Sequence, residues 1–211
     1  MRVFVASTRI KGRAIRYIAH GDERNKHTLF FFHGYGESGS IRSSKKYGPF
    51  AWPKMIPRDM FVVYPICPGF CLWDADILVD FIHEVCQRHS GERRLYAAGV
   101  SMGGYAIWNI VRRAPTLFDA ALIFASGGDA VQQIGLRYVL FDPESLRHAQ
   151  TRIWAFHGQH DLVVPLSNSK RLVNATPNAR LTVFAFKGHT GTMRQAMRHK
   201  DMYDWLVNGS P

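Results

Sequence analysis

Ser101 stands at the centre of Gly99-Val100-Ser101-Met102-Gly103, with the apolar run Leu95, Tyr96, Ala97, Ala98 before it and a helix-forming run after it. A serine hydroxyl is a poor nucleophile at neutral pH unless a base takes its proton as it attacks. A sharp turn between a strand and a helix holds such a hydroxyl in strained backbone, clear of the sheet edge, and leaves room at its flanks only for glycine. The helix that follows presents unpaired N–H groups at its start, where a developing negative charge is stabilised.

The pentapeptide occurs by chance in many chains, and a serine at a helix start is often no more than an N-cap. Its meaning therefore rests on partners. Trp154 to Asp161 reads as a strand running into a turn that ends on a carboxylate, and Phe184 to His189 as a strand running into a Gly-His turn. The order is Ser, Asp, His. In this arrangement Ser101 is the nucleophile, His189 the base that takes its proton, and Asp161 the group that fixes the imidazole tautomer and stabilises its protonated form. Among ten histidines, His157 and His160 also lie near the acid. His157 precedes a glycine at a strand end and reads as structural, while His160 adjoins Asp161 in sequence and should point elsewhere. Asp129, after Ser126-Gly127-Gly128, is a reserve candidate for the acid.

The elements that would carry these groups alternate. Val3 to Ala6 and Ala14 to Ala19 read as strands joined by a turn at Lys11-Gly12, forming an antiparallel edge. Thr28 to Phe32, Met60 to Tyr64, Arg94 to Ala98, Asp119 to Ala125, Arg152 to Phe156 and Arg180 to Phe186 complete eight strands. Asp74 is placed to cap a helix whose Ile77, Leu78, Phe81, Ile82 and Val85 share one face. A second helix begins near Met102 and stops before Pro115. A third covers Leu166 to Asn174, and a closing one runs from Thr192 to Leu206. Strands alternating with helices imply a parallel sheet with right-handed crossovers. Between the sixth and seventh strands only Gly127 to Thr151 is available, too little for a large helical lid, so Ser101 is expected in an open groove.

At 211 residues, with 46% hydrophobic and 20% charged side chains, the chain fits one domain, 1–211, with a sizeable core. The apolar start at Val3 is too short for an export signal and no window reaches membrane-spanning length, which points to a soluble, cytoplasmic protein. Cys67, Cys71 and Cys86 are odd in number and lack zinc-site spacing, as free thiols in a reducing compartment would be. The balance of 27 Lys and Arg against 16 Asp and Glu gives +11. The basic residues are scattered, however, and no nucleic-acid motif accompanies them. Gly34-Tyr35-Gly36-Glu37-Ser38-Gly39 satisfies the spacing of a dinucleotide loop, but the acid that should follow, Asp59, precedes its strand instead of ending it, and Pro49 and Pro53 break the required helix. No P-loop or metal-ligand set is present, so no cofactor or metal is implied.

Taken together, Gly99 to Tyr105, His157-Gly158 leading to Asp161-Leu162-Val163-Val164-Pro165, and Gly188-His189 resemble the α/β-hydrolase superfamily. Within it the likeness is to the compact phospholipase/carboxylesterase-like branch, which includes acyl-protein thioesterases, feruloyl-esterase-like enzymes and predicted peptidases. It spans about Thr28 to His189. The resemblance implies an eight-stranded, mostly parallel sheet flanked by helices. It implies a cofactor-independent serine hydrolase acting on esters or thioesters of a small or acylated substrate, with a serine peptidase or a non-catalytic binding module as the alternatives. It places the oxyanion-binding N–H groups at Met102 and, in the His33-Gly34-Tyr35-Gly36 loop, at Tyr35. It sets Trp73 beside the acyl pocket, where a core or interface tryptophan would serve equally. Many relatives carry a tryptophan soon after the histidine; here a basic helix, Arg194 to Lys200, follows instead.

Overall fold

Alternation of large apolar side chains builds the sheet. In strand β3 (His27–Phe32), Phe30 and Phe32 enter one core layer while Leu29 and Phe31 enter the other, as a strand covered on both faces requires. Its neighbours β4 (Phe61–Ile66) and β5 (Arg94–Val100) divide in the same way: Val63 and Ala97 join the first layer, Tyr64 and Tyr96 the second. The computed structural model describes residues 3–39, 41, 59–68, 72–88, 93–127 and 142–209.

The remaining strands are β1 (Val3–Ile10), β2 (Arg13–His20), β6 (Ala120–Phe124), β7 (Arg152–Gly158) and β8 (Ala179–Phe184). They form an eight-stranded sheet in the order β1-β2-β4-β3-β5-β6-β7-β8. β1 and β2 pair antiparallel and β2 runs antiparallel to β4, whereas every pairing from β4 to β8 is parallel. This is the mostly parallel architecture expected. The β1–β2 hairpin is longer than its apolar residues suggest, because the backbone ladder continues from Ser7↔Arg16 to Ile10↔Arg13 around the Lys11-Gly12 turn.

Helices α1 (Ala75–Gln87), α2 (Met102–Arg113) and α3 (Leu166–Asn174) cover the first layer. Asp74 caps α1 by accepting from the Asp76 and Ile77 amides, and Leu78, Phe81, Ile82 and Val85 bury one face at helical spacing. α2 packs against β5, β3 and β6 with α1 beside it, and Met102 to Val111 are all buried.

Helices α4 (His189–Ala196) and α5 (Met202–Asn208) cover the second layer. They replace the single closing helix expected over Thr192 to Leu206. Ala196 and Met202 both face the sheet, yet six residues of unbroken helix would rotate one about 240° from the other. The break resolves this: Arg198 and His199 close a tighter turn onto the Gln195 and Ala196 carbonyls before α5 begins. β8 likewise stops at Phe184, whose carbonyl accepts from Gln159 at 3.0 Å and Lys187 at 3.3 Å as the chain turns away, so Phe186 is not a strand residue. Of the interval between β6 and β7, a 3-10 turn, Pro143–Leu146, is described. Residues 128–141 lie outside the described residues, and with them the expectation of a missing lid and the reserve acid Asp129; Pro49, Pro53 and Cys71 lie outside them too. Among the described residues no helix is long and apolar enough to cross a membrane.

Candidate active site

The turn from β5 into α2 is fixed by contacts that leave no room for side chains. A Cβ at Gly103 would sit 1.9 Å from the Phe32 carbonyl oxygen, and one at Gly99 would sit 2.6 Å from the Gly103 carbonyl carbon. α2 therefore starts almost against β3 and β5, and the chain between them folds sharply. Ser101 absorbs the bend at φ 53° and ψ −117°, a conformation that costs an L-residue of order 1–3 kcal/mol. Its amide donates to Phe124 of β6 at 2.9 Å and its carbonyl accepts from Tyr105 at 3.1 Å.

His189 opens α4 and Asp161 lies in the turn after β7. The two loops are tied together where the His160 amide donates to the Lys187 carbonyl at 3.0 Å. Asp161 Oδ1 accepts from the Val163 and Val164 amides at 2.9 and 2.8 Å, which aims Oδ2 at His189 Nδ1, 2.8 Å away. His189 Nε2 is then 3.0 Å from Ser101 Oγ. An ionised carboxylate only accepts, so Nδ1 carries the imidazole proton and Nε2 presents its lone pair to the serine hydroxyl. Burial by itself pushes the Asp161 carboxyl up. Hydrogen bonds from His157, His189 and the Val164 amide outweigh it and hold the group well below the usual carboxylate range.

The loop after β3 is anchored around His33, which is fully buried. Its Nδ1–H donates to Gly34 O at 2.6 Å, its Nε2 accepts from the Cys67 amide at 3.0 Å, and its carbonyl accepts from the Trp73 indole at 3.2 Å. Burial pushes His33 down to about 4, against the opposing pull of the Gly34 carbonyl. Glu37 is buried and accepts from Tyr64 Oη. Burial raises its carboxyl, partly countered by the hydrogen bonds from Tyr64 and the Gly34 backbone. These anchors bring Gly34 against Ser101: a Cβ at Gly34 would be 3.7 Å from Ser101 Cβ. Tyr35 heads the 3-10 turn Tyr35–Glu37 and Met102 heads α2, so both amides are at positions without a partner inside their own helix.

No family model matches the chain, and no curated protein matches it in sequence. Solved structures do match. A thermostable esterase superposes with a TM-score of 0.76 at 22% identity, covering 97% of this chain and 62% of that one. A serine hydrolase from the polyaromatic-hydrocarbon-degrading bacterium Cycloclasticus zankles covers 98% of this chain and 100% of its own, with a TM-score of 0.73 at 15% identity. A bacterial membrane phospholipase A gives 0.71 at 16% identity over 98% of this chain and 86% of that one. The chain has the α/β-hydrolase fold. It spans less than two thirds of the length of the thermostable esterase.

In this hydrolase fold, Ser101, His189 and Asp161 are brought together at the ends of β5, β8 and β7. His157, read from the sequence as structural, is buried and also reaches Asp161: its Nε2 lies 3.3 Å from Oδ2 and 2.9 Å from the Val164 carbonyl, and its Nδ1 lies 2.7 Å from Ser169 Oγ. Its spacing of four from Asp161 was visible, but a strand and a turn separate the two, so nothing local predicts the contact. His160 is exposed and Lys187 holds its amide, not its ring. The roles of His33, Glu37 and Tyr64 were not legible, because each partner is distant in sequence. Trp73 packs on Phe32 and His33 and also lines a cleft of about 200 Å³ with Asp74, Asp76, Tyr105, Asn109 and Arg112. The core setting is therefore met, while the cleft is lined by neither Ser101 nor His189. Among the described residues no three His, Cys, Asp or Glu side chains are grouped to hold a metal ion.

Proposed function

We propose that this chain is a serine hydrolase of the phospholipase/carboxylesterase-like branch, cleaving carboxylic esters or thioesters through an acyl-enzyme. The observation that carries the reading is the hydrogen-bonded line from Ser101 Oγ to His189 Nε2, at 3.0 Å, and from His189 Nδ1 to Asp161 Oδ2, at 2.8 Å. Solved structures of the same fold named as an esterase and as a serine hydrolase support it.

In this mechanism Ser101 Oγ attacks the acyl carbon while His189 Nε2 takes its proton, and Asp161 stabilises the imidazolium. The carbonyl oxygen becomes an oxyanion that the amides of Met102 and Tyr35 receive. Collapse breaks the bond to the alcohol or thiol, which leaves with the proton from His189. Water then repeats the sequence on the Ser101 ester, releasing the acid and restoring the serine. The Trp73 cleft is the proposed seat for part of the substrate. The proposal takes residues 1–211 as one domain acting in the cytoplasm, where the thiols of Cys67 and Cys86, which form no disulfide, would stay reduced.

A fluorophosphonate probe tests the nucleophile: wild type is labelled and Ser101→Ala is not. An unlabelled wild type, or equal labelling of the variant, would end the hydrolase reading. A series of p-nitrophenyl esters and thioesters run beside peptide anilides separates ester from amide preference.

A further inference from the structure

Large apolar side chains left in water concentrate around the candidate site. Phe186 is 90% exposed and Leu162 89%, with Val163 and Tyr35 also exposed. These four lie on the loops that carry His189, Asp161 and the Tyr35 amide. Among the described residues the other exposed ones, Val3, Val5 and Val183, lie on the two edge strands. Leu162 and Phe186 come from the pair of loops tied by the His160–Lys187 hydrogen bond, so they project from one stretch of rim. His189 itself is partly open there, its side chain 18% exposed.

The segments that carry Asp161 and His189 to this rim are basic. Between Glu144 and Asp201 the chain carries nine Lys and Arg but a single carboxylate, Asp161, which is buried in the site; Arg152 and Arg180 open β7 and β8 at the far edge of the sheet, whereas Lys170, Lys187 and Arg194 are on the segments next to the rim. α3 and α4 both start at the rim, and Lys170 and Arg194 are exposed five residues into or beyond it, about 7–8 Å along each helix. That is within a Debye length of anything touching the rim at physiological salt. The acids at the mouth, Asp74 and Asp76, sit on the opposite side at the start of α1, where Asp74 caps the helix and Asp76 is ion-paired with Arg113.

We propose that this rim is a docking surface for an anionic phospholipid membrane, with Phe186 and Leu162 entering the interfacial layer and Lys170, Lys187 and Arg194 meeting the lipid phosphates. Neither contribution suffices alone. Two apolar side chains give marginal partitioning, and scattered cations give attraction without orientation; together they make the two-part anchor that reversible peripheral binding needs. Docked in this way, the open side of His189 faces the membrane. The surface and its test are independent of whether Ser101 turns over a substrate.

The test is co-sedimentation of the full chain with vesicles of phosphatidylcholine alone and of phosphatidylcholine mixed with phosphatidylglycerol. The chain should bind the mixed vesicles, bind the neutral ones weakly, and lose affinity as salt is raised. Phe186→Ser should weaken binding about tenfold or more. Lys170→Glu with Arg194→Glu should weaken it by a similar factor. All these positions are exposed, so thermal midpoints should match wild type. Absence of binding to the mixed vesicles overturns the proposal. So does binding that Phe186→Ser and Leu162→Ser leave unchanged, since charge alone would then account for it. Competition by polyglutamate as effective as that of the vesicles would assign the surface to acidic polypeptides and overturn the lipid assignment.

Discussion

Ser101 is held at positive φ where two glycines, Gly99 and Gly103, let α2 start against the sheet, and in the proposed mechanism this strained turn presents its hydroxyl. Releasing it should separate stability from turnover. Ser101→Gly is expected to raise the unfolding free energy by about 1 kcal/mol while abolishing ester hydrolysis, measured by urea denaturation beside a p-nitrophenyl acetate assay; a variant no more stable than wild type would show the backbone is relaxed. In the proposed mechanism Asp161 acts through the tautomer it enforces. Asp161→Asn should therefore fold normally yet lower kcat by roughly 10⁴, and a loss under tenfold would remove it from the relay. That Ser101, Asp161 and His189 meet was legible in the sequence because each sits in a short motif at a strand end. The partners of His157 and His33 were not: a buried histidine is defined by what surrounds it, and these surroundings come from Ser169, Val164, Cys67 and Trp73, which no local pattern links to them.

At the scale of elements, apolar alternation located all eight strands to within a few residues, since burial on both faces leaves few other places for such runs. The ends were harder, because they depend on neighbours. β8 stops at Phe184 only because Gln159 of the adjoining loop and Lys187 claim its carbonyl. The split between α4 and α5 follows from where the sheet lies beneath Ala196 and Met202. The tightest joint is the one between α2 and β3. Gly103→Ala should cost about 1–3 kcal/mol or more, with a matching loss of hydrolysis as the start of α2 is pushed away from Phe32. Thermal melting and rate would be followed together; unchanged values for both would show the contact to be looser than the 1.9 Å approach requires.

For the whole molecule, pH dependence of stability follows from groups buried in the site. His33 titrates near 6.5 when unfolded but is pushed down to about 4 in the fold. The unfolded chain therefore binds the extra proton, and the stability His33 contributes above pH 6.5 is lost as pH falls toward 4. The expected loss is about 2 kcal/mol between pH 7 and pH 5. Glu37, raised by burial, has the opposite sign: its contribution is present at low pH and declines as pH rises through its folded value, which offsets part of the His33 effect. Asp161, held low, adds its own loss only below its ordinary value of 3.8. Urea denaturation at pH 7 and pH 5 checks this: His33→Asn should flatten the difference, and an equally steep variant would assign the dependence elsewhere.

By itself the sequence determined the fold class and singled out the three side chains that the fold brings into one hydrogen-bonded line, because strand alternation, helix caps and glycine-flanked turns are local consequences of steric and hydrogen-bonding rules. Tertiary structure alone decided which histidines support Asp161 and the Tyr35 loop, where the closing helix breaks, and that Phe186 and Leu162 stand together in water. Each of these depends on distances between residues far apart in the chain, and the packed sheet sets those distances.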